Sequence, residues 1–380
     1  NKTYGRGLQI VHLDVAAKFG LVAPIGISFY TLEAIGYLID VSRGKYPAEK
    51  SFWRFAAFLS FFPNIMSGPI ERGDHFLGQL REITEKKRRE LLNYDRVMQG
   101  LIAMLLGYGM KLIVAQRAEI LVNQVYSMYQ DANSFTMLMA ALFYAVQIYC
   151  DFASYSMIAV GVGRLFGFEL VQNFKQPYFA GNLTDFWRRW HISLSSWLRD
   201  YIYIPLGGGR KGLAVRQRNI LLVFLISGLW HGGDSWNYVL WGAAHGIALC
   251  IDRAWSRAGL PDLPAPLAHT VTLLFVCLAW TLFRSPDFAT ALGMYAGQFG
   301  FNGFALGDAL AATLRPAHGI AAALGVVCLL LPLLQARAEA RFGHSLSFRA
   351  VGALWPVAGF LLSFALIASR ETVPFLYFQF

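Results

Sequence analysis

"NILLVFLISGLWHGG", residues 219–233, is the stretch that decides how this chain is to be read. Residues 219–230 are almost wholly apolar, and the run ends on His231, set beside glycine, before a turn-rich stretch leads into another apolar run. An imidazole at membrane depth is costly, so it has to be satisfied by a neighbour or used. The rest of the sequence says whether that depth is a membrane's.

Hydrophobic residues make up 56% of the 380, aromatic residues 15% and charged residues only 15%. A soluble domain averages roughly 25% charged. Apolar runs recur along the whole length, on the scale of the ~20 residues that cross a bilayer core. They are Leu21–Val41, Val97–Ala115, Phe135–Cys150, Phe152–Phe168, Asn219–Trp230, Trp236–Ile251, Ala268–Phe283, Gly319–Leu334 and Val351–Ser369. Several are short or carry polar residues, which predicts bent, tilted or re-entrant helices in a packed bundle. The expected fold is all-α, a polytopic integral membrane protein with one transmembrane domain over residues 1–380. The chain begins at Asn1 rather than Met, so a native N-terminus ahead of it is expected.

The net charge of +10 comes from 33 Lys and Arg against 23 Asp and Glu. These cations cluster in the loops between spans, the lysine/arginine bias of cytoplasmic loops rather than a nucleic-acid surface. Cys150, Cys250, Cys277 and Cys328 lie in apolar runs without a CxxC, and read as buried free thiols.

Two stretches are too polar to span. Glu71–Arg96 carries seven Lys and Arg and reads as a solvated cytoplasmic loop with a helical part. In Asn173–Gly212 aromatics and arginines interleave. Asn182 or Thr184 can cap a helix starting near Asp185. From there Trp187, Trp190, Leu194, Trp197 and Leu198 recur at helical steps, with Arg188, Arg189, Ser195 and Arg199 elsewhere. One amphipathic interfacial helix is expected, its Trp and Tyr at lipid headgroup depth. "PLGGGRKG" then forms a basic turn without phosphate-loop spacing, although Arg210, Lys211, Arg216 and Arg218 suit a phosphorylated ligand arriving from the cytoplasm.

Histidine is the candidate chemist, because its charge changes near neutrality. His12, His75, His269, His318 and His344 sit in polar segments or at span edges, leaving His191, His231 and His245. There is no HExxH, and His231 and His245 are too far apart to share a helical face as metal ligands, so no metal site is expected. A GxSxG elbow is missing too. One intramembrane histidine is as readily a helix–helix hydrogen bond as a base. Three of them, two beside glycines that admit close approach, point to a site. Glu33, Asp40, Lys111 and Asp151 are ionisable groups in or beside spans that can pair across helices or line an ion path.

Motifs in a fixed order complete the reading: "PIGISFYTLEAIGYLIDVSRGKYP" (24–47), "FFPNIMSGPIERGDHF" (61–76), "QIYCDFASYSMIAVGVGRLFGF" (147–168), "FWRRWHISLSSWLRDYIYIPLGG" (186–208), "GLWHG" (228–232) and "PFLYFQF" (374–380). Together they resemble the membrane-bound O-acyltransferase (MBOAT) family, in particular its bacterial branch that O-acylates cell-surface polymers such as alginate, cellulose and teichoic acid. The resemblance implies a helical bundle around a funnel in the bacterial cytoplasmic (inner) membrane. It implies acyl transfer, acetyl first, from a cytoplasmic thioester donor such as acetyl-CoA, or an acyl carrier protein, toward an extracytoplasmic polysaccharide. It places the family's invariant histidine at His231 and its motif histidine at His191, and implies an extracytoplasmic partner of the SGNH-hydrolase type. Met157 stands where alginate-acetylating relatives tend to carry an acid.

The chemistry needs few groups. Neutral His231 as general base takes the hydroxyl proton, while His191, Trp230 or a backbone amide stabilises the oxyanion. Arg210 and Lys211 are the candidates for the phosphate end of a coenzyme A-type donor. The rival readings are a flippase or transporter of a lipid or acyl carrier, a D-alanyl transferase, and a scaffold. At the end of the chain the lysine/arginine bias of the loop Gln335–Phe348, with Arg349 immediately after it, puts Glu371–Phe380 on the extracytoplasmic side. There Tyr377 is either part of an aromatic belt or, as the teichoic-acid relatives suggest, a relay that accepts the acyl group.

Overall fold

The computed structural model describes residues 26–85, 93–232 and 235–305, with scattered positions between 319 and 365. Several of its helices begin where short polar side chains take up the orphaned N–H groups of the first turn. Ser51, Asn93, Asn133, Asn182, Ser235 and Asp287 each accept such a bond. Of the two caps expected near residue 183, Asn182 is the one used, and Thr184 Oγ1 instead donates to Asp252 at 3.0 Å.

The order is α1 (Ile27–Ser42), α2 (Phe52–Leu59), α3 (Gly73–Glu85), α4 (Tyr94–Gly109), a π-helical turn (Met110–Ala115), α5 (Gln116–Ser127), α6 (Ser134–Leu165), α7 (Leu183–Arg189), α8 (Ile192–Leu198), α9 (Leu213–His231), α10 (Trp236–Arg257), α11 (Ala265–Arg284) and α12 (Phe288–Gln298). Among the described residues there is no strand. Among the described residues, four helical units are long and apolar enough to cross a membrane: Tyr94–Ser127, α6, α9 and α11. Expected spans Gly319–Leu334 and Val351–Ser369 fall mostly outside the described residues.

Two expectations are corrected. Phe135–Cys150 and Phe152–Phe168 are not separate spans but one continuous helix of 32 residues, α6. Asp151 marks no break, because it is buried against Lys111 of the π-helical turn, with which it pairs. At about 48 Å by helical rise, α6 exceeds the ~30 Å hydrocarbon layer, so it tilts or projects beyond it. It forms the spine of the bundle, with α4 and α5 along one side and α11 and α12 along another.

The second correction concerns the amphipathic helix expected from Asp185 onward. It is two short helices, α7 and α8, separated by Trp190 in an extended conformation and His191 in the left-handed region (φ 43°, ψ 55°). The break sends the tryptophans to different cores. Trp190 packs with Phe174 and Trp280 at centroid distances of 5.1 and 5.0 Å. Trp197 belongs to a separate cluster with Phe29 and Leu32, where its indole N–H donates to the Leu32 carbonyl at 2.8 Å. A continuous helix would hold both on one stripe.

α9 and α10 form an antiparallel hairpin whose backbones touch. A Cβ at Gly228 would overlap the Tyr238 carbonyl, and one at Gly242 would overlap that of Phe224. Small residues at a crossing permit this approach in membrane helices. The hairpin fixes His231 at the end of α9 against Trp241 of α10.

Candidate active site

Strain and clamps position His191. Only a few per cent of non-glycine residues adopt positive φ, and the conformation persists only where surroundings over-determine it. Here the preceding polar segment supplies the restraint. Asn173, 1% exposed, accepts the Ile192 N–H on its main-chain oxygen (3.0 Å) and the Ser193 N–H on Oδ1 (3.1 Å). Its Nδ2 donates to Ser156 Oγ on α6 at 3.3 Å. Lys175 N–H donates to the Arg189 carbonyl at 3.0 Å, and Ile70 N–H donates to Ser193 Oγ at 3.0 Å. His191 is thereby held from three sides.

The imidazole itself is 1% exposed and sits among rings: Phe152 edge-on at 4.7 Å, Phe29 stacked at 6.4 Å and Trp230 at 6.4 Å. Both of its ring nitrogens are buried without a hydrogen-bond partner among the described residues. Most buried polar atoms find a partner, and exceptions ask for a reason. A histidine serving only to tie helices together would use at least one nitrogen.

His231 lies on the other side of Trp230, whose ring is 4.9 Å from its own; Trp241 and Phe283 each approach His231 edge-on at 5.3 Å. Trp230 therefore stands beside both histidines. His245, fully buried, joins the same aromatic wall, with Trp241 at 5.0 Å from its ring. Trp187 Nε1–H donates to His245 Nδ1 at 3.3 Å, which puts the proton of neutral His245 on Nε2. Thus the three histidines singled out in the sequence, with Trp230, converge on one interior region. Arg210 and Lys211 do not. Both are exposed on the glycine turn after α8, which Asn219 pins by donating to the carbonyls of Leu206 and Gly208. Tyr377 lies outside the described residues.

Two cavities approach this region from different sides. One, of about 710 Å³, is lined by Gln99, Tyr149, Ser156, Asn173, Phe174 and Arg189 among others, so Asn173 is at once cavity wall and clamp. The other, of about 450 Å³, reaches Trp187, Ile192, Phe224 and Ser227. Ser227 precedes His231 by one helical turn. Sequence reasoning missed Asn173. Its only signal was an asparagine at the start of the aromatic and basic stretch, and nothing local says which backbone it will hold.

A bundle of long apolar helices, in which buried His191 and half-buried His231 share an aromatic wall, defines a polytopic membrane protein. Residues 48–260 match the model of the membrane-bound O-acyltransferase (MBOAT) family. The chain belongs to that family. It is similar to the probable alginate O-acetylase of Pseudomonas putida, 38% identical over 288 residues covering 76% of this chain and 58% of that protein. The peptidoglycan O-acetyltransferase of Helicobacter pylori is 35% identical over 313 residues, 75% of this chain and 58% of the relative. The teichoic acid D-alanyltransferase of Bacillus subtilis is 28% identical over 286 residues, 70% of each. The chain spans 54–58% of the length of the alginate O-acetylases it matches.

Proposed function

We propose that this chain is an O-acyltransferase of the bacterial cytoplasmic membrane, moving an acyl group, acetyl first, from a cytoplasmic thioester to a hydroxyl on the way to an extracytoplasmic polysaccharide. The observation that carries the reading is the convergence of His191 and His231 on Trp230, with both His191 nitrogens unpartnered. The relatives named as polysaccharide or peptidoglycan O-acetylating proteins support acetyl as the group and a glycan as the final acceptor.

In this reading His231 is the general base. As the acceptor oxygen attacks the thioester carbonyl, its proton passes to the imidazole. The tetrahedral intermediate collapses, the C–S bond breaks, and the imidazolium returns the proton to the departing thiolate. Nothing is consumed beyond the thioester. A positioned base of this kind contributes about 10²–10⁴-fold. His191 Nε2–H or Nδ1–H, or the Trp230 indole, serves as donor to the oxyanion. The aromatic wall excludes water, which protects the thioester from hydrolysis. Acetyl-CoA is the expected donor, with Arg210 and Lys211 on its approach, and an acyl carrier protein is the alternative. Delivery to the polymer falls to an extracytoplasmic partner of the SGNH type, with Tyr377 as the relay.

The test is acyl transfer from radiolabelled acetyl-CoA by the purified chain with its partner and polymer. His231→Ala is expected to lose activity by at least about 10²-fold while keeping its elution profile and melting temperature. A folded variant with near-wild-type transfer refutes the general-base role.

A further inference from the structure

His245 takes no part in the chemistry proposed above, and it lines neither of the two cavities. It is fully buried near the middle of α10. Its Nδ1 accepts the Trp187 indole N–H at 3.3 Å, and its Nε2 has no hydrogen-bond partner among the described residues. The work of the imidazole inside the protein therefore falls to Nδ1. A polar ring is a costly choice for such a place, since an aliphatic side chain would fill it with no polar atom to satisfy.

The sequence spacing shows what that bond joins. Trp187 precedes His191 by four residues, and Trp241 precedes His245 by four. Trp241 in turn stands edge-on against His231 at 5.3 Å. The bond from Trp187 to His245 thus links the segment that carries His191 to the helix that walls His231. On its other side α10 has no room to shift, because it is seated directly on α9. A Cβ at Gly242 would overlap the Phe224 carbonyl, and one at Gly246 would stand 3.1 Å from Leu221 Cδ2. Phe224 also meets the Trp187 ring at 5.0 Å.

α7 itself has only seven residues. A helix so short is not held by its own propensity, so its outside bonds decide where it lies. Thr184 ties its first turn to Asp252 of α10 at 3.0 Å, and Trp187 ties the turn that leads into His191. We propose that His245 is a positioning residue, whose Nδ1 fixes Trp187 and, through α7, the separation of His191 from His231. Asn173 anchors the residues after the break at His191, and His245 anchors those before it. The effect on rate rests on the acyl-transfer reading above, whereas the tie between α7 and α10 stands on the geometry alone.

Two substitutions separate the two nitrogens. Asparagine places its amide oxygen close to the position of Nδ1, where it accepts from Trp187. Glutamine, one methylene longer, places its amide near Nε2 and leaves the indole N–H without its acceptor. Both lose the ring and its packing, so a purely structural role would lower the two alike. The assay is acyl transfer from radiolabelled acetyl-CoA by the full chain with its partner and polymer, well below every variant's melting temperature. His245→Gln is expected to lose turnover by about 10²-fold, the cost of a misplacement near 1 Å, with donor KM little changed. His245→Asn should recover at least about 10-fold of that loss. A cycle in thermal unfolding reads the tie without turnover: Trp187→Phe should lower the melting temperature of the wild type and leave that of His245→Gln almost unchanged. Should His245→Gln fail to fold, the cycle is run in His245→Asn, where Trp187→Phe must cost as much as in the wild type. Equal turnover losses in the two His245 variants overturn the proposal. So does a rise in donor KM at unchanged turnover in His245→Gln, or a Trp187→Phe cost that is the same with and without the Nδ1 acceptor. A wild-type chain that transfers no acyl group removes the acyltransferase reading, and the unfolding cycle still decides whether His245 ties α7 to α10.

Discussion

Replacing Asn173 with Ala removes a clamp without touching either histidine, and the geometry sets the size of the effect. The main-chain bond from Ile192 to the residue 173 carbonyl survives, because it does not use the side chain. The Ser193 N–H loses its acceptor in a buried place, which costs about 1–3 kcal/mol. Ser156 Oγ loses a donor worth about 1 kcal/mol net. The variant should therefore be destabilised by about 2–4 kcal/mol. His191 adds a consequence for rate. Its left-handed backbone costs about 1–2 kcal/mol, and with Ser193 unanchored the segment can relax toward the right-handed region and swing the imidazole away from Trp230. A displacement near 1 Å at such a site costs on the order of 10²-fold. Ser156→Ala makes the comparison discriminating, since it removes the partner of Asn173 Nδ2 but leaves Oδ1 on Ser193. The assay is acyl transfer well below both melting temperatures, alongside thermal unfolding. Expected are a turnover loss near 100-fold for Asn173→Ala with donor KM little changed, and near-wild-type turnover for Ser156→Ala. Equal losses in the two variants, or a folded Asn173→Ala with full turnover, would refute the clamp.

Lys111→Met should destabilise the bundle by about 3–5 kcal/mol by taking the ammonium away from buried Asp151, and Lys111→Met with Asp151→Leu should recover most of it in detergent unfolding. His75 Nδ1 lies 2.6 Å from Glu71 Oε2, and that bond holds the imidazole above its ordinary value, against the opposing effect of burial. Because the folded value is the higher one, its contribution to stability is complete below about pH 6.5 and is lost as pH rises through the folded value. His75→Gln should remove that part of the melting temperature's pH dependence; an unchanged profile would show the bond to be energetically silent. Tyr377→Phe keeps an aromatic anchor and deletes only the hydroxyl, so polymer acylation is expected to fall sharply; acylation at the wild-type level would refute the relay and leave Tyr377 as a belt residue.

Much of the fold was legible because it follows from solvent. A chain with 56% hydrophobic and 15% charged residues has to satisfy its backbone internally, and helices do that within one segment. The Asn182 cap was readable for the same local reason. So were the three histidines, since an imidazole in an apolar run stands out without any knowledge of its neighbours. What lay beyond reach depended on groups distant in sequence. Asp151 looked like an interruption until Lys111 was placed against it. The periodicity from Trp187 to Leu198 described one stripe, but backbone N–H groups of Ile192 and Ser193 are claimed by Asn173, and the helix breaks at His191 to meet them. The four arginines that line the smaller cavity, Arg188, Arg199, Arg216 and Arg253, come from α7, the turn after α8, α9 and α10, and their charges say nothing of one another along the chain. Hydrophobic pattern records which residues avoid water. Which buried donor meets which acceptor is a property of packing, and that is where the site was decided.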